Sequence, residues 1–130
     1  MSENFNLEII TPEKPIFKSE TNQVTIPSFE GLMSILKDHI SLVTFLRPGF
    51  IKAQSQKGDE KFFVEEGTVE LNNNNLLILS SSVKNVKKMS KKEIDLMIQE
   101  AERAFNNKDI KDKEKYILSY KIDTLKEITV

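Results

Sequence analysis

His39 is the only histidine of the chain, and Ser34 and Ser41 lie close to it in sequence. A histidine beside a serine and a carboxylate is the set that a hydrolase uses to activate its nucleophile. However, no G-x-S-x-G segment is present, and both serines fall in sequence typical of strands or loops. A small hydrolase built on His39 is one hypothesis, but a single histidine of this kind is more often a turn or interface residue.

Metal and cofactor chemistry have few candidate residues. The chain contains no cysteine, so disulfides and thiolate-bound metals are excluded, and one histidine leaves only carboxylates as ligands. The acidic pairs Asp59-Glu60 and Glu65-Glu66 lack the ligand spacing of a calcium loop. The four glycines are isolated and form neither a phosphate-binding loop nor a dinucleotide-binding pattern. We therefore predict no catalytic residue, no metal and no cofactor.

One basic cluster, KNVKKMSKK, extends from Lys84 to Lys92. It could meet a phosphate or an acidic protein face, but no aromatic residues are interleaved for stacking on bases. A solvated linker between two domains explains the cluster as well. The whole chain has 19 basic and 20 acidic residues, a net charge of -1. Because nucleic acids and anionic membranes attract an excess of Lys and Arg, both are disfavoured as partners.

Short segments of alternating polarity make up the first two thirds of the chain. In the first of them, Phe5, Leu7 and Ile9 alternate with other residues, which is the period of a half-buried strand. The predicted strands include Phe5 to Ile10, Pro15 to Phe17, Asn22 to Pro27, Phe50 to Gln54, Lys61 to Glu65, Thr68 to Leu71 and Leu76 to Ser80. Gly67 is expected to break a run, and a turn is predicted at four consecutive asparagines, 72–75. The pattern predicts an antiparallel, ten-stranded β-sandwich.

The hydrophobic period changes to a helical one at Ser90. Ser90 and Glu93 predict a capping box, in which the serine oxygen accepts the Glu93 backbone N–H and the glutamate reaches back. The apolar stripe of the first helix consists of Ile94, Met97, Ile98, Ala101 and Phe105. A second helix, expected to be short and capped by Asp109 or Asp112, carries Ile117 or Leu118, Ile122, Leu125 and Ile128. The two helices predict an antiparallel hairpin.

This hairpin divides the chain into a β domain, residues 1–86, and a helical part, residues 87–130. A helix pair of about 40 residues buries too little surface to be stable alone. It must therefore dock on the β domain or on a partner.

The central stretch from Phe29 to Gly49 has the most specific spacing. Its key residues are Glu30, Gly31, Ile35, His39, Leu42, Leu46, Pro48 and Gly49. In type and spacing, these residues resemble those of the ε subunit of F-type ATP synthases, and the match needs no gap in the sequence. Further resemblance lies in Phe5 to Glu13, Gln23 to Pro27, Phe62, Gly67 and Val69 to Leu71. The resemblance therefore covers nearly the whole chain.

This resemblance implies a non-catalytic subunit of a proton-translocating F-type ATP synthase. Such a subunit would bind the γ subunit in the central stalk, rest on the ring of c subunits and couple ring rotation to the catalytic head. Its hairpin would contact the α and β subunits transiently and inhibit ATP hydrolysis weakly. It would be a peripheral protein at the cytoplasmic face of the bacterial inner membrane. The remaining hypothesis is a free-standing β-sandwich binding module with a helical appendage.

The loops implied to face the c ring carry Glu30, Gly31, Leu32 and His39. The family commonly has an acidic residue directly after Gly31 and a Pro-Gly pair before His39. This chain has Leu32 and Lys37-Asp38 at those places. We therefore expect it to meet its ring through different contacts from those of its relatives.

A further departure lies in the first helix. Some members of the family bind ATP through an I-D-x-x-R-A segment, which here begins Ile94-Asp95 and has Ile98 in place of the arginine. A guanidinium is a natural partner of a phosphate or carboxylate. Its loss predicts that the chain does not bind ATP tightly.

Overall fold

The computed structural model describes residues 3–128, in which ten strands are followed by two helices. The strands are β1 (Phe5–Ile10), β2 (Pro15–Thr21), β3 (Gln23–Ser28), β4 (Gly31–Ile35), β5 (Leu42–Leu46), β6 (Gly49–Gln54), β7 (Glu60–Val64), β8 (Gly67–Asn72), β9 (Asn75–Leu79) and β10 (Lys84–Asn85). A 3-10 turn (Val86–Lys88) leads to α1 (Lys91–Phe105) and α2 (Asp112–Ile128). The outermost residues of the two predicted domains, 1–2 and 129–130, lie outside the described residues.

The ten strands belong to one hydrogen-bonded sheet, with the order β10-β7-β6-β3-β5-β8-β9-β1-β2 and β4 paired to β3. Strands β1 and β9 are parallel, with Leu7 beside Leu76 and Ile9 beside Ile78. The prediction of a purely antiparallel sheet is therefore wrong at this pair. A parallel pair needs a long connection, and here nearly the whole β domain lies between the two strands.

The alternation of β1 places its apolar residues in the core, since Phe5, Leu7 and Ile9 are all buried. The same core cluster includes Val24 of β3 and Phe62 of β7, so strands distant in the sheet contribute to it. The helices do not cover this face of β7, because they pack on Phe63, whose side chain points to the opposite face. The strands must therefore cover one another's inner faces.

Two turn predictions have different outcomes. Asn73 and Asn74 adopt positive φ angles of 50° and 62°, so the asparagine turn between β8 and β9 is confirmed. Gly67, in contrast, is the first residue of β8 and does not break a strand. A Cβ atom at Gly67 would lie 2.7 Å from the carbonyl oxygen of Leu79. Glycine is required there because two backbones approach closely.

The first helix begins at the predicted cap. The Ser90 Oγ accepts the Glu93 backbone N–H at 3.1 Å. Lys84 Nζ lies 2.6 Å from the Glu93 carboxylate. This hydrogen bond, aided by the backbone N–H of Ser90, holds the pKa of Glu93 below its ordinary value. In the second helix Asp112 is the first residue and not the cap, and the helix has 17 residues, so the expectation of a short helix was wrong.

The carboxylate of Glu66 accepts hydrogen bonds from the three serines that follow β9. Ser81 donates to it from its backbone N–H at 3.0 Å and from its hydroxyl at 2.6 Å. The Ser80 and Ser82 hydroxyls each donate at 3.4 Å. The hydrogen bond from the Ser81 side chain is the largest cause that lowers the pKa of Glu66, while burial opposes it. These bonds tie the segment that leads to the helices to the β7–β8 turn.

We expect Glu66→Gln to lower the free energy of unfolding by about 1 kcal/mol at neutral pH, because the amide oxygen can still accept these hydrogen bonds but lacks the negative charge that strengthens them, at a largely exposed site. Folding lowers the pKa of Glu66. Its stabilisation is therefore present above the unfolded pKa, about 4.3, and is lost as pH falls through the folded pKa.

Thermal melts of Glu66→Gln and the wild type should differ at neutral pH and converge in acid. Glu100→Gln, at an exposed position of α1, is the control and should melt like the wild type throughout. A difference between Glu66→Gln and the wild type that stays constant down to strongly acidic pH would contradict this account.

Candidate partner-binding surfaces

Glu30 and Gly31 lie at the tight turn between β3 and β4. The Ser28 hydroxyl donates to the Gly31 carbonyl oxygen at 2.7 Å and accepts the Glu30 backbone N–H at 3.2 Å. Gly31 has a φ of 122°, a conformation that favours glycine. Leu32 follows with 72% of its surface exposed. A hydrogen-bonded turn thus presents one carboxylate and one leucine to solvent.

His39 lies on a different loop, which joins β4 to β5. Asp38 takes a φ of 65°, and its backbone N–H and its carboxylate both bond the Asn74 side chain, at 2.7 and 3.1 Å. His39 Nδ1 lies 2.8 Å from the carbonyl oxygen of Ile40. The residue Ile40 has 80% of its surface exposed. Asp38 thus adopts a left-handed conformation that a glycine would take easily, and the loop is anchored to the asparagine turn.

The four residues predicted to face the ring therefore lie at two places, Glu30, Gly31 and Leu32 at the turn where β4 begins and His39 on the loop that follows β4. Within residues 3–128, no hydrogen bond joins His39 to a serine or a carboxylate. In the same range, no group of three His, Asp or Glu side chains is placed to hold a metal ion. The hydrolase hypothesis has no supporting geometry in this part of the chain.

A third surface, not singled out from the sequence, lies on the outer face of β5, β8 and β9. Val43, Phe45 and Leu79 are 66%, 60% and 42% exposed. Phe45 and Leu79 both pair with Thr68 of β8 from opposite sides, so they lie in one row across the sheet. Phe29, 47% exposed, donates its backbone N–H to the Phe45 carbonyl oxygen at 3.3 Å.

We call Phe29, Val43, Phe45 and Leu79 the apolar face. Thr68 of β8 lies between Phe45 and Leu79, whereas Val43 and Phe45 are neighbours on one side of β5. Several large apolar side chains exposed on one side of a sheet mark a candidate site for a partner. The signal for it was present in β5, LVTFL, where apolar residues stand at both odd and even positions. A strand of this kind has apolar residues on both faces of the sheet. The alternation alone did not tell which face would remain exposed.

The hairpin docks on the sheet through a second, smaller core. Phe63 of β7, Ile94 of α1 and Leu125 of α2 are buried together. Of the other stripe residues, the structure buries Ala101 and Ile122 and half-buries Met97, Ile98, Phe105 and Leu118. The apolar stripes of the two helices therefore pack partly against each other and partly against the outer side of β7.

Two polar contacts support this docking. The Arg47 guanidinium lies 3.9 Å from the centre of the Tyr120 ring, which favours a cation–π interaction. Lys121 Nζ lies 2.7 Å from a carboxylate oxygen of Glu65. Both contacts join the β domain to α2.

Between residues 3 and 128, no helix is both long enough and apolar enough to cross a membrane.

A sequence profile of the family described as "ATP synthase, Delta/Epsilon chain, beta-sandwich domain" matches residues 4–86. The chain belongs to the ATP synthase delta/epsilon family. The ATP synthase epsilon chain of Pelagibacter ubique is 46% identical over 129 residues, which cover 98% of this chain and 99% of that one. The ATP synthase epsilon chain of Endomicrobium trichonymphae is 31% identical over 121 residues, covering 92% and 83%.

The fold of this delta/epsilon family member also resembles a solved structure. A chain in the cryo-EM structure of the Euglena gracilis mitochondrial ATP synthase, OSCP/F1/c-ring, superposes with a TM-score of 0.77 at 16% identity. The match covers 99% of this chain and 81% of that one. The resemblance to the epsilon subunit is confirmed by the sequence relatives, as is the prediction of an ATP synthase subunit that is no enzyme by itself.

Proposed function

We propose that the chain couples rotation of the c ring to the catalytic head, and that it binds the γ subunit through the apolar face. The observation that carries this proposal is the exposure of Val43, Phe45 and Leu79 on a sheet whose other side is buried. Aromatic side chains are enriched at protein interfaces, and Phe45 is such a side chain on a fixed backbone. The sheet supplies that fixed backbone.

The loops that carry Glu30, Gly31, Leu32 and His39 are proposed to rest on the c ring. Each loop is held by short hydrogen bonds, through Ser28 in one and Asn74 in the other, which limits the motion of its contact residues. Leu32, with 72% of its surface exposed, supports an apolar contact at this position. This agrees with the expectation that the chain meets its ring differently from its relatives.

The hairpin, residues 87–130, is proposed to inhibit ATP hydrolysis weakly through transient contacts with α and β. Its docking core consists mainly of Phe63, Ile94 and Leu125. Such a small core favours docking by only a few kcal/mol, so a partner surface of similar affinity could shift the balance. The complex, proton-translocating in this proposal, would hold the chain at the cytoplasmic face of the bacterial inner membrane.

The test of this function is complex formation with purified partners. A tagged copy of the chain should form a one-to-one complex with the γ subunit of its own organism during gel filtration. Isolated c ring should then join this complex. If neither partner binds, the proposal fails and the free-standing binding module becomes the better explanation.

Removal of residues 89–130 is expected to leave a folded β domain that still binds γ. The strands pair only with one another, and the main core contains no residue of the helices. The truncated chain should melt cooperatively at a lower temperature, because Phe63 loses its cover. A second truncated variant with Phe63→Thr separates poor solubility from failure to fold. The absence of a cooperative melt in both variants would contradict the prediction.

A further inference from the structure

The basic cluster from Lys84 to Lys92 has no role in the proposed function, yet it forms one wall of a cleft. The cleft encloses about 350 Å³. Lys14, in the turn before β2, lines it from the β domain, while Lys84 and Lys88 line it from the linker that leads to α1. Two segments that are distant in sequence therefore bring three lysines to one place.

The charges in this cleft are not balanced. Lys84 is neutralised, since its Nζ lies 2.6 Å from the Glu93 carboxylate, which also lines the cleft. For the ammonium groups of Lys14 and Lys88, residues 3–128 provide no ion-pair partner and no hydrogen-bond acceptor. The lining therefore carries two uncompensated positive charges.

Apolar side chains line the same cleft. They belong to Ile16 of β2, to Val83, which is buried, and to Met89, which is half-buried. Apolar walls keep water away from part of a bound ion and so weaken the dielectric screening of its charge. The two lysines themselves are exposed, and these apolar side chains would border one side of an anion held between them.

We propose that this cleft binds a phosphoryl group, carried by inorganic phosphate or by a phosphate ester, between Lys14 and Lys88. A phosphate dianion balances the two positive charges, and lysine binds phosphate well as a point charge. The site goes beyond the proposed function and does not depend on it. It borders, at Glu93, the α1 segment that begins Ile94-Asp95, where the missing arginine predicts no tight binding of ATP, but neither proposed lysine belongs to that segment.

The bound anion would join the β domain to the linker. Lys14 belongs to the β1–β2 turn, whereas Lys88 ends the 3-10 turn just before α1. An anion between them therefore restrains the linker, and trypsin should cut more slowly after Lys87 and Lys88 when the site is occupied.

The test is a titration of the full chain with inorganic phosphate and, separately, with AMP, at constant ionic strength. Backbone NMR signals of Lys14, Val83 and Lys88 should shift and saturate. Lys14→Gln and Lys88→Gln should each weaken binding about tenfold, since each removes one charge-assisted contact. Both lysines are exposed, so these variants should fold normally.

A matched control is the pair Lys18→Gln and Lys57→Gln, which removes two lysines from a different cleft. It should bind like the wild type. Equal affinity for phosphate and AMP supports a site for the phosphoryl group alone, while tighter binding of AMP supports an ester whose apolar part contacts the wall. The proposal is overturned by shifts that never saturate, by equal shifts with chloride, by unchanged binding in the Lys14→Gln/Lys88→Gln double variant, or by trypsin cleavage that the ligand leaves unchanged.

Discussion

Phe45→Asp is expected to weaken binding of the γ subunit by about a hundredfold or more. The variant removes an aromatic anchor from the middle of the apolar face and forces a carboxylate into the interface without a partner. Truncation of an interface anchor costs about 2 kcal/mol or more, and the unpaired carboxylate adds a desolvation cost. About 3 kcal/mol in total corresponds to two orders of magnitude in the dissociation constant.

Because Phe45 is 60% exposed, the folded state of the free subunit should tolerate this change. The thermal melt of Phe45→Asp should therefore stay close to that of the wild type. Leu96→Asp is the matched control, since Leu96 is 50% exposed but lies on α1, away from the apolar face. Calorimetry with purified γ should show normal affinity for Leu96→Asp and a severe loss for Phe45→Asp. Normal affinity of both variants would rule out the apolar face as the γ site.

Leu125→Ala is expected to release the hairpin from the β domain. Leu125 is fully buried against Phe63 and Ile94, so its truncation loses buried apolar surface and leaves a cavity. Such truncations cost about 2 to 4 kcal/mol, which is comparable with the whole contribution expected from so small a core. The sheet, whose main core contains no residue of α2, should remain folded.

Limited proteolysis measures this release directly. In Leu125→Ala, cleavage within α1 and α2 should accelerate strongly while the β domain survives. Leu118→Ala, the same change at a half-buried position of the same helix, should have a much smaller effect. In the assembled ATP synthase, Leu125→Ala should also change the rate of ATP hydrolysis if the hairpin restrains it. Equal protection of both variants would show that other contacts hold the hairpin.

The elements with a clear hydrophobic period were predictable from sequence. In β1, Phe5, Leu7 and Ile9 determine which side is buried, and at α1 the cap residue Ser90 determines where the helix begins. These signals are local, because each depends on residues only a few positions apart.

Features that depend on distant pairing were not predictable in this way. The parallel pairing of β1 with β9 is set by how the two strands meet in the core, and the alternation within each strand is the same for either direction. The apolar face has a similar origin. Whether Phe45 or Thr44 faces the core depends on the register of β5 with β8. Both sets of alternating side chains in β5 contain apolar residues, so either set could have faced the core.

The position of β3 has a mechanical consequence for the proposed coupling. Ser28 pairs with Gly31 of the turn proposed to face the ring and also with Leu46 of β5. The next residue, Phe29, bonds the backbone of Phe45. A load applied at the turn would thus reach the apolar face within two residues, without crossing a flexible joint. The β domain should therefore act as a stiff coupling with little torsional compliance, and any elastic energy stored during rotation would have to reside in the subunits on either side of it.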